Sequence, residues 1–428
     1  MTSPRVVVLV TGSELVRGDR RDANGPFLAA ELSRLGLEPS RVTIVGDRAE
    51  DLSSAFREGL EADLCVVSGG LGPTHDDRTV EMLAAASGRP LVVDAALERE
   101  IEAFSRGIAE RLKRPYADFV AGVRKQASLP QGAVSLGLAG SAPALLLEHD
   151  GRVVVVLPGP PTELQRLWPA ALEHAAVKAI LRRVRPPQRR VLRFFGPSES
   201  AVALALAEAG GEEGGVEVTV CARDLEIHVD VFSTEGEEAR ASALVEGLRS
   251  AFPEDLFALD DERRVEELVL DTCRAQRLKL ATAESCTGGM VGMRLTDVPG
   301  SSDVYVGGVI AYSDDVKQRE LDVPDEVLRE HGAVSAETAS AMARGARARL
   351  DADVAVSVTG IAGPGGGTPE KPVGLVYIAV DSVQGKAERS GILPGDRDAI
   401  RARATALALH LLRTVVTRSV THSRGSAL

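Results

Sequence analysis

Short apolar runs of strand length alternate with helix-period segments through the first 175 residues. Residues 6–10, 64–67 and 153–157 read as strands, and 26–35, 77–86 and the stretch from Pro161 read as helices. This alternation predicts a doubly wound parallel α/β sheet. The pattern breaks at Arg182-Arg183-Val184-Arg185-Pro186-Pro187-Gln188-Arg189-Arg190, where two prolines forbid continued helix and five arginines repel one another. Residues 176–190 therefore read as a linker. A small α+β unit follows, with strands at 191–195, 216–222 and 225–232, helices at 199–209 and 235–250, and Arg223-Asp224 as a tight hairpin turn. The last domain opens with a helix at 261–276 whose inward face is Val265, Leu268, Val269 and Thr272. Its second helix, 337–350, is capped by Ser335 and turns Ala339, Met342, Ala343, Ala346 and Leu350 inward. Strands at 278–283, 354–358 and 373–380 supply a second sheet. The expected domains are 1–175, 191–255 and 256–420.

A chain of 428 residues exceeds one ordinary core, and 44% apolar with 26% charged residues is ordinary globular composition. The net charge of −12 argues against a broad nucleic-acid surface, which needs clustered cations. The arginine-rich break carries no interleaved aromatic residues, so a solvated linker is favoured over an RNA-binding tail. Cys65, Cys221, Cys273 and Cys286 show neither a Cys-x-x-Cys pair nor a repeated spacing, so neither a zinc site nor a disulfide framework is indicated, and a reducing compartment is expected. The first apolar run is too short for a signal-peptide core, and no run approaches the roughly 18 residues of a membrane span. A soluble, cytoplasmic protein is expected.

The best candidate for chemistry is Thr282-Ala283-Glu284-Ser285-Cys286-Thr287-Gly288-Gly289, which reads as a strand running into a helix start. Hydroxyls and unpaired helix N–H groups there would suit phosphate or a developing oxyanion. Gly307-Gly308-Val309-Ile310-Ala311-Tyr312-Ser313 with Lys317, and Thr359-Gly360-Ile361-Ala362-Gly363-Pro364-Gly365-Gly366-Gly367, are further strand ends expected to converge on it. With Ser285 as nucleophile, none of His331, His410 and His422 stands in a comparable loop, so Lys317 is the candidate base. Lowering a lysine pKa from about 10.4 to about 7 costs roughly 4–5 kcal/mol, which burial or a neighbouring cation must supply. Arg397 could be that cation or could hold a substrate phosphate. The plainer alternatives are Ser285 as a helix cap, Lys317 as a solvated surface lysine, and Arg397 as the partner of Asp396 or Asp398. Cys286 is a rival nucleophile that reads more simply as a small buried residue. Asp314 and Asp315 read as turn residues, and no metal is assigned to this site.

In the first domain, Ser68-Gly69-Gly70-Leu71-Gly72-Pro73-Thr74-His75-Asp76-Asp77-Arg78-Thr79 follows a strand and opens a helix. Its glycines would let a ligand approach backbone N–H groups, and its carboxylates offer hard oxygen ligands to a Mg²⁺-bound pyrophosphate. Such turns also occur in α/β folds that bind nothing there, and Asp76 and Asp77 could equally be first-turn helix acids.

From Ala283-Glu284-Ser285-Cys286-Thr287-Gly288-Gly289 through Pro299-Gly300-Ser301-Ser302, Tyr312-Ser313 with Lys317, Gly332-Ala333-Val334-Ser335, Thr359-Gly360-Ile361-Ala362-Gly363-Pro364 and Lys371-Pro372-Val373-Gly374 to Gly395-Asp396-Arg397, the last domain resembles that of the competence/damage-inducible protein A family, CinA. The resemblance implies a nicotinamide mononucleotide deamidase with Ser285 as nucleophile and Lys317 as base. It implies Glu284, Thr287, Gly288, Gly289, Tyr312, Thr359, Gly360 and Arg397 at the substrate, and no cofactor. The first domain, through Thr11-Gly12-Ser13-Glu14-Leu15, Asp22-Ala23-Asn24, Val45-Gly46-Asp47, Lys125-Gln126-Ala127 and Leu157-Pro158-Gly159-Pro160-Pro161-Thr162-Glu163, resembles the family's molybdopterin-binding-like domain. The implied activity there is a Mg²⁺-dependent ADP-ribose pyrophosphatase. Its nucleotide site would hold Glu14, Asn24, Asp47, Gly69, Gly70, Gly72, Thr74 and Gly159, with Asp76 and Asp77 on the metal. Arg48, Gly137 and Ala144 depart from the usual pattern of asparagine, asparagine and glycine. The middle unit resembles the family's small KH-like domain but lacks a Gly-x-x-Gly clamp, and Gly210-Gly211-Glu212-Glu213-Gly214-Gly215 is acidic, so it reads as a spacer or dimerisation piece. A homodimer acting on small nucleotides, away from membrane and nucleic acid, is the expectation. Two alternatives stand beside it: an N-terminal domain that only binds nucleotide or pterin, and a non-enzymatic interaction protein serving DNA uptake.

Overall fold

The computed structural model describes residues 3–211, 215–223 and 225–423, with side chains through 417. Glu212, Glu213 and Gly214 of the acidic glycine stretch, Asp224 of the expected hairpin turn and the side chain of His422 lie outside the described residues. The chain divides into two compact units between Pro187 and Gln188.

In the first unit β1 (Val6–Thr11) is buried throughout, because alternate side chains enter different cores. Val7 and Leu9 meet Cys65 and Val67, while Val6, Val8 and Val10 meet Leu28 and Leu32. The chain continues through α1 (Ser13–Val16), α2 (Asn24–Arg34), β2 (Pro39–Val45), α3 (Ala49–Gly59), β3 (Leu64–Ser68) and α4 (Thr79–Ala86). β4 (Leu91–Val93), α5 (Ala95–Leu112), α6 (Val120–Gln126) and β5 (Ser128–Pro130) form an excursion in which β4 and β5 pair. β6 (Val134–Leu138), β7 (Pro143–His149), β8 (Arg152–Leu157), α7 (Pro161–Glu173) and α8 (Ala175–Leu181) complete it.

The main sheet runs β2-β1-β3-β8-β7-β6; its first four strands pair in parallel, and β7 is antiparallel to both β8 and β6. The expected all-parallel sheet is thus corrected to a mixed one. Asp150 and Gly151, with φ of 50° and 77°, turn β7 back against β8 as a two-residue hairpin. The expected linker at 176–190 is also corrected: α8 buries Val177 and Ile180 in the first unit's core, and only the few residues before Gln188 remain as connection. Of the three departures from the family pattern, Gly137 sits at a strand irregularity with φ of 101°, a conformation open to glycine. Arg48 precedes α3, and Ala144 is buried in β7.

The second unit begins with β9 (Gln188–Phe195), α9 (Glu199–Glu208), β10 (Val216–Arg223), β11 (Glu226–Ser233), α10 (Glu238–Ala251) and β12 (Leu256–Leu259). These strands make an antiparallel sheet in the order β10-β11-β9-β12, with Leu244, Val245 and Leu248 of α10 in its core. The chain then runs α11 (Val265–Gln276), β13 (Leu280–Glu284), α12 (Met290–Thr296), β14 (Tyr305–Ile310), α13 (Asp314–Leu321), α14 (Asp325–His331), α15 (Ala336–Arg349), β15 (Val354–Gly360), β16 (Leu375–Ser382), β17 (Gly385–Ile392) and α16 (Arg397–Ser423). The last sheet is ordered β14-β13-β15-β16-β17, with its first three strands parallel. Helices cover both faces: Val269, Val291 and Leu409 pack on one, Leu321, Met342 and Ala346 on the other. Ser335 caps α15 by accepting from the Thr338 N–H at 3.2 Å, and Ala339, Met342, Ala343 and Ala346 are buried as expected. The inward face of α11 is rotated from the expected one, with Leu270 and Cys273 buried in place of Leu268 and Thr272.

A buried polar knot joins the α+β part to α16. Glu226 Oε1 contacts His410 Nε2 at 2.7 Å and Glu226 Oε2 contacts His228 Nε2 at 2.8 Å. Phe195 stacks on the His410 ring at 3.8 Å, and Phe257 meets it edge-on at 4.7 Å. Burial alone would raise the Glu226 carboxyl, but hydrogen bonds from the two histidines overcome it and hold the group at about 2. Burial pushes the His410 ring below its usual value. A neutral ring with its proton on Nε2 suits this setting, since buried Nδ1 has no partner among the described residues and an unpaired acceptor is the lesser cost.

Both folded-state pKa values lie below the unfolded ones, so the knot's stabilisation is present at neutral pH. It should fade as pH falls through the histidine range and then from about 4.3 toward about 2. Urea midpoints measured across this range should show that acid limb, and Glu226→Gln should flatten its lower part.

Candidate active site and nucleotide cavity

The three parallel strands of the last sheet end together. Glu284 lies opposite Ile310 on one side and Val358 on the other, the Ser285 N–H donates to Val358 O at 2.9 Å, and the Ala311 N–H donates to Glu284 O at 2.8 Å. Ser285 is thereby set between the Thr359–Gly360 strand end and the Ala311–Tyr312 loop. Its side chain is not a helix cap: Gly289 occupies that position, with φ of 98°, and Glu284 supplies the acceptor. The Glu284 carboxylate, 2% exposed, accepts from Gly289 N–H at 2.9 Å, Val291 N–H at 3.1 Å and Gly292 N–H at 2.8 Å. The helix N–H groups expected to be open to an anion are therefore occupied by this carboxylate, and the Gly288 N–H is bonded to Ser285 O at 3.1 Å. Thr287 Oγ1 is buried without a partner among the described residues.

Lys317 is 1% exposed, which removes the surface-lysine reading. Its Nζ donates to Tyr312 O at 3.2 Å and lies 3.5 Å from Asp314 Oδ1. Asp314 and Asp315 form the first turn of α13, whose cap is Ser313. Arg397 pairs with neither neighbouring aspartate. Its Nη1 donates to Gly363 O at 2.7 Å and its Nη2 to the Tyr312 hydroxyl at 3.2 Å, so it spans two of the three loops. The Thr359 hydroxyl donates to Ala333 O at 2.6 Å, and Lys371 Nζ donates to His331 O and Val334 O, each at 2.7 Å, which brings the Gly332–Ser335 and Lys371–Gly374 motifs to the same edge. Burial pushes the Cys286 thiol up to about 11, a poor setting for a nucleophilic thiolate. Sequence reasoning passed over Arg401, whose signal was its four-residue spacing from Arg397. It donates to Cys286 O at 3.2 Å and Thr287 O at 2.9 Å.

In the first unit the carboxyl ends of β1, β3 and β8 open onto a cavity of about 570 Å³ at the point where strand order reverses. Glu14, Asn24, Asp47, Gly69, Gly70, Gly72, Gly159, Asp76 and Asp77 all line it; Thr74 does not. Asp22 and Glu163, from the quoted motifs, also line it, as do Arg20 and Arg21, which were not singled out from the sequence. Gly69 and Gly70 have φ of 103° and 66°, and a Cβ on them would stand 2.5 Å from Thr11 O and 2.1 Å from Thr79 Oγ1. Asn24 Nδ2 donates to Ser68 Oγ and Gly159 O, at 2.9 and 2.7 Å, tying three loops. Asp47 accepts from the Ser13 N–H at 2.8 Å, and Thr74 donates its hydroxyl to Asp76 and Asp77. The Thr74 hydroxyl holds the Asp76 carboxyl below its usual value, and burial raises that of Glu163. The donor set is hard oxygen and suits a divalent cation of the magnesium type. No three His, Cys, Asp or Glu groups among the described residues converge on one point, so such an ion would need ligand oxygens and water as well. Arg48, Gly137 and Ala144 do not line the cavity.

Removing the Glu284 carboxylate strands three N–H groups, one buried and two partly buried. Glu284→Ala should destabilise the last domain by roughly 3 kcal/mol or more, read as a lowered urea midpoint, and Glu284→Gln by less.

No helix among the described residues is long and apolar enough to cross a membrane. The family described as CinA C-terminal domain matches residues 262–416, and that described as probable molybdopterin binding domain matches 7–177. The CinA-like protein of Mycolicibacterium paratuberculosis is 42% identical over 97% of this chain and 99% of that protein. That of Mycolicibacterium gilvum is 44% identical over 96% and 98%. The solved structure of competence/damage inducible protein CihA from Agrobacterium tumefaciens is 42% identical, covering 35% of this chain and 94% of that one at a TM-score of 0.34. The chain belongs to the CinA family, joining a molybdopterin-binding-like first domain to a CinA C-terminal domain.

Proposed function

We propose that the last domain hydrolyses the carboxamide of nicotinamide mononucleotide, giving the acid and ammonia, with Ser285 as nucleophile and Lys317 as base. The observation that carries this reading is a fully buried lysine at the start of α13, its Nζ on the carbonyl of Tyr312 at the strand end next to that of Ser285, in a chain of the CinA family. As a free base Lys317 would keep an N–H on Tyr312 O and offer its lone pair to the Ser285 proton. Ser285 Oγ attacks the amide carbon, the C–N bond breaks as Lys317 returns the proton to the leaving nitrogen, and water then cleaves the acyl-serine ester. Arg397 is the candidate for the phosphate. With Gly288 and Gly289 N–H groups already bonded, oxyanion donors fall to the start of the turn or to the Thr359–Gly360 strand end.

For the first domain the reading is Mg²⁺-dependent hydrolysis of the ADP-ribose pyrophosphate, supported by the cavity at the strand-order reversal and its carboxylates. Asp76 and Asp77 are the proposed metal residues, and a bound Mg²⁺ would neutralise pyrophosphate charge. A domain that only binds nucleotide or pterin is the alternative.

Ammonia release from nicotinamide mononucleotide should fall at least roughly 10³-fold in Ser285→Ala and in Lys317→Ala; a wild-type rate in either sinks the assignment. Incubation with ADP-ribose should release AMP only with Mg²⁺, whereas saturable binding without turnover would select the binding module.

A further inference from the structure

The turn that carries Ser285 is held from both sides by side chains bonded to its backbone. Glu284 takes the N–H groups of Gly289, Val291 and Gly292, while the guanidinium of Arg401 donates from Nε to Cys286 O and from Nη2 to Thr287 O. Asp398, 4.0 Å from Arg401 Nη1, is almost fully exposed, so a screened surface pair does not account for the placement of this arginine. A planar fork on two successive carbonyls fixes two peptide planes at once. Peptide planarity then fixes the N–H groups of Thr287 and Gly288, which point opposite to those carbonyls. Ser285 lies one peptide before the first fixed plane and its own N–H is tied to Val358 O, so the backbone that carries its side chain is held on both sides.

We propose that Arg401 is a positioning residue of the Ser285 site, acting through the Cys286 and Thr287 carbonyls and touching no reacting atom. The role rests on the amidase reading above. It differs from that of Arg397, which lies four residues earlier on α16 and holds the other two loops through Gly363 O and the Tyr312 hydroxyl.

Cys286 gives a readout of the turn that needs no activity. The residue is buried, 6% exposed, so alkylation requires the turn to open, and Cys221, the exposed cysteine, can be replaced by serine to clear the background. In full-length protein carrying Cys221→Ser, Arg401→Ala should lower kcat for ammonia release from nicotinamide mononucleotide roughly 10- to 100-fold, with KM changed by less than about threefold. Iodoacetamide labelling of Cys286, followed by peptide mass mapping, should accelerate roughly 10-fold or more. Arg401→Lys should recover part of both, since an ammonium can serve one of the two carbonyls, and it carries the test if the alanine variant does not fold. Wild-type kcat and labelling in both variants would overturn the proposal, as would a raised KM at unchanged kcat, which would make Arg401 a substrate contact. If the Cys221→Ser parent releases no ammonia, the amidase reading fails by itself. Labelling then decides alone: acceleration in Arg401→Ala supports the brace and an unchanged rate overturns it.

Discussion

One buried carboxylate governs the last domain. Glu284 ends a fully buried strand, and its two oxygens close three N–H groups that the glycine-rich turn and the short helix behind it would otherwise leave without partners. The turn can therefore be sharp and still sit at the carboxyl edge of a parallel sheet, where side chains from neighbouring strand ends meet. Ser285, the Tyr312 loop with Lys317, and Thr359 are neighbours because of that edge, and Arg397 and Arg401 reach them from the first turns of one helix.

The same economy recurs in the first unit. Asp22 accepts from Asn24 and Gly25, Asp47 from Ser13, and Asp77 from Thr74, so much of the acidity around the cavity already organises its own loops. Carboxylates fixed by backbone donors cannot swing away, which suits a hard cation accompanied by phosphate. The glycines are demanded by close approach, with Gly69 and Gly70 passing against Thr11 and Thr79.

Much of this was legible because strand and helix periods are strong signals in a chain with few ambiguous segments. β1, β3, β8, β9 and β11 and the helices beside them fall within a few residues of their expected limits. The antiparallel margin of the first sheet was missed although Asp150-Gly151 carries the usual hairpin signal, because the apolar run of β7 was not read as a strand of its own. The linker was begun too early for a different reason: arginines and prolines mark where helix stops, and Val177 and Ile180 just before them pack inward. At the candidate site, residue types were readable and partners were not. Glu284 looked like a substrate contact, and only the coordinates turn its oxygens onto the backbone; Arg401 has no motif value until Cys286 and Thr287 are seen to face it.

The helix α16 is the longest in the molecule described and serves two masters. Arg397 and Arg401 sit at its start, and His410 lies 13 residues beyond Arg397, clasped by Glu226 and Phe195 of the α+β part. At 1.5 Å per residue that is a rod of about 20 Å. A rigid rod fastened at both ends transmits position lengthwise, so the small domain works as an anchor: a shift of its sheet would arrive at the serine turn as a displacement along the helix axis.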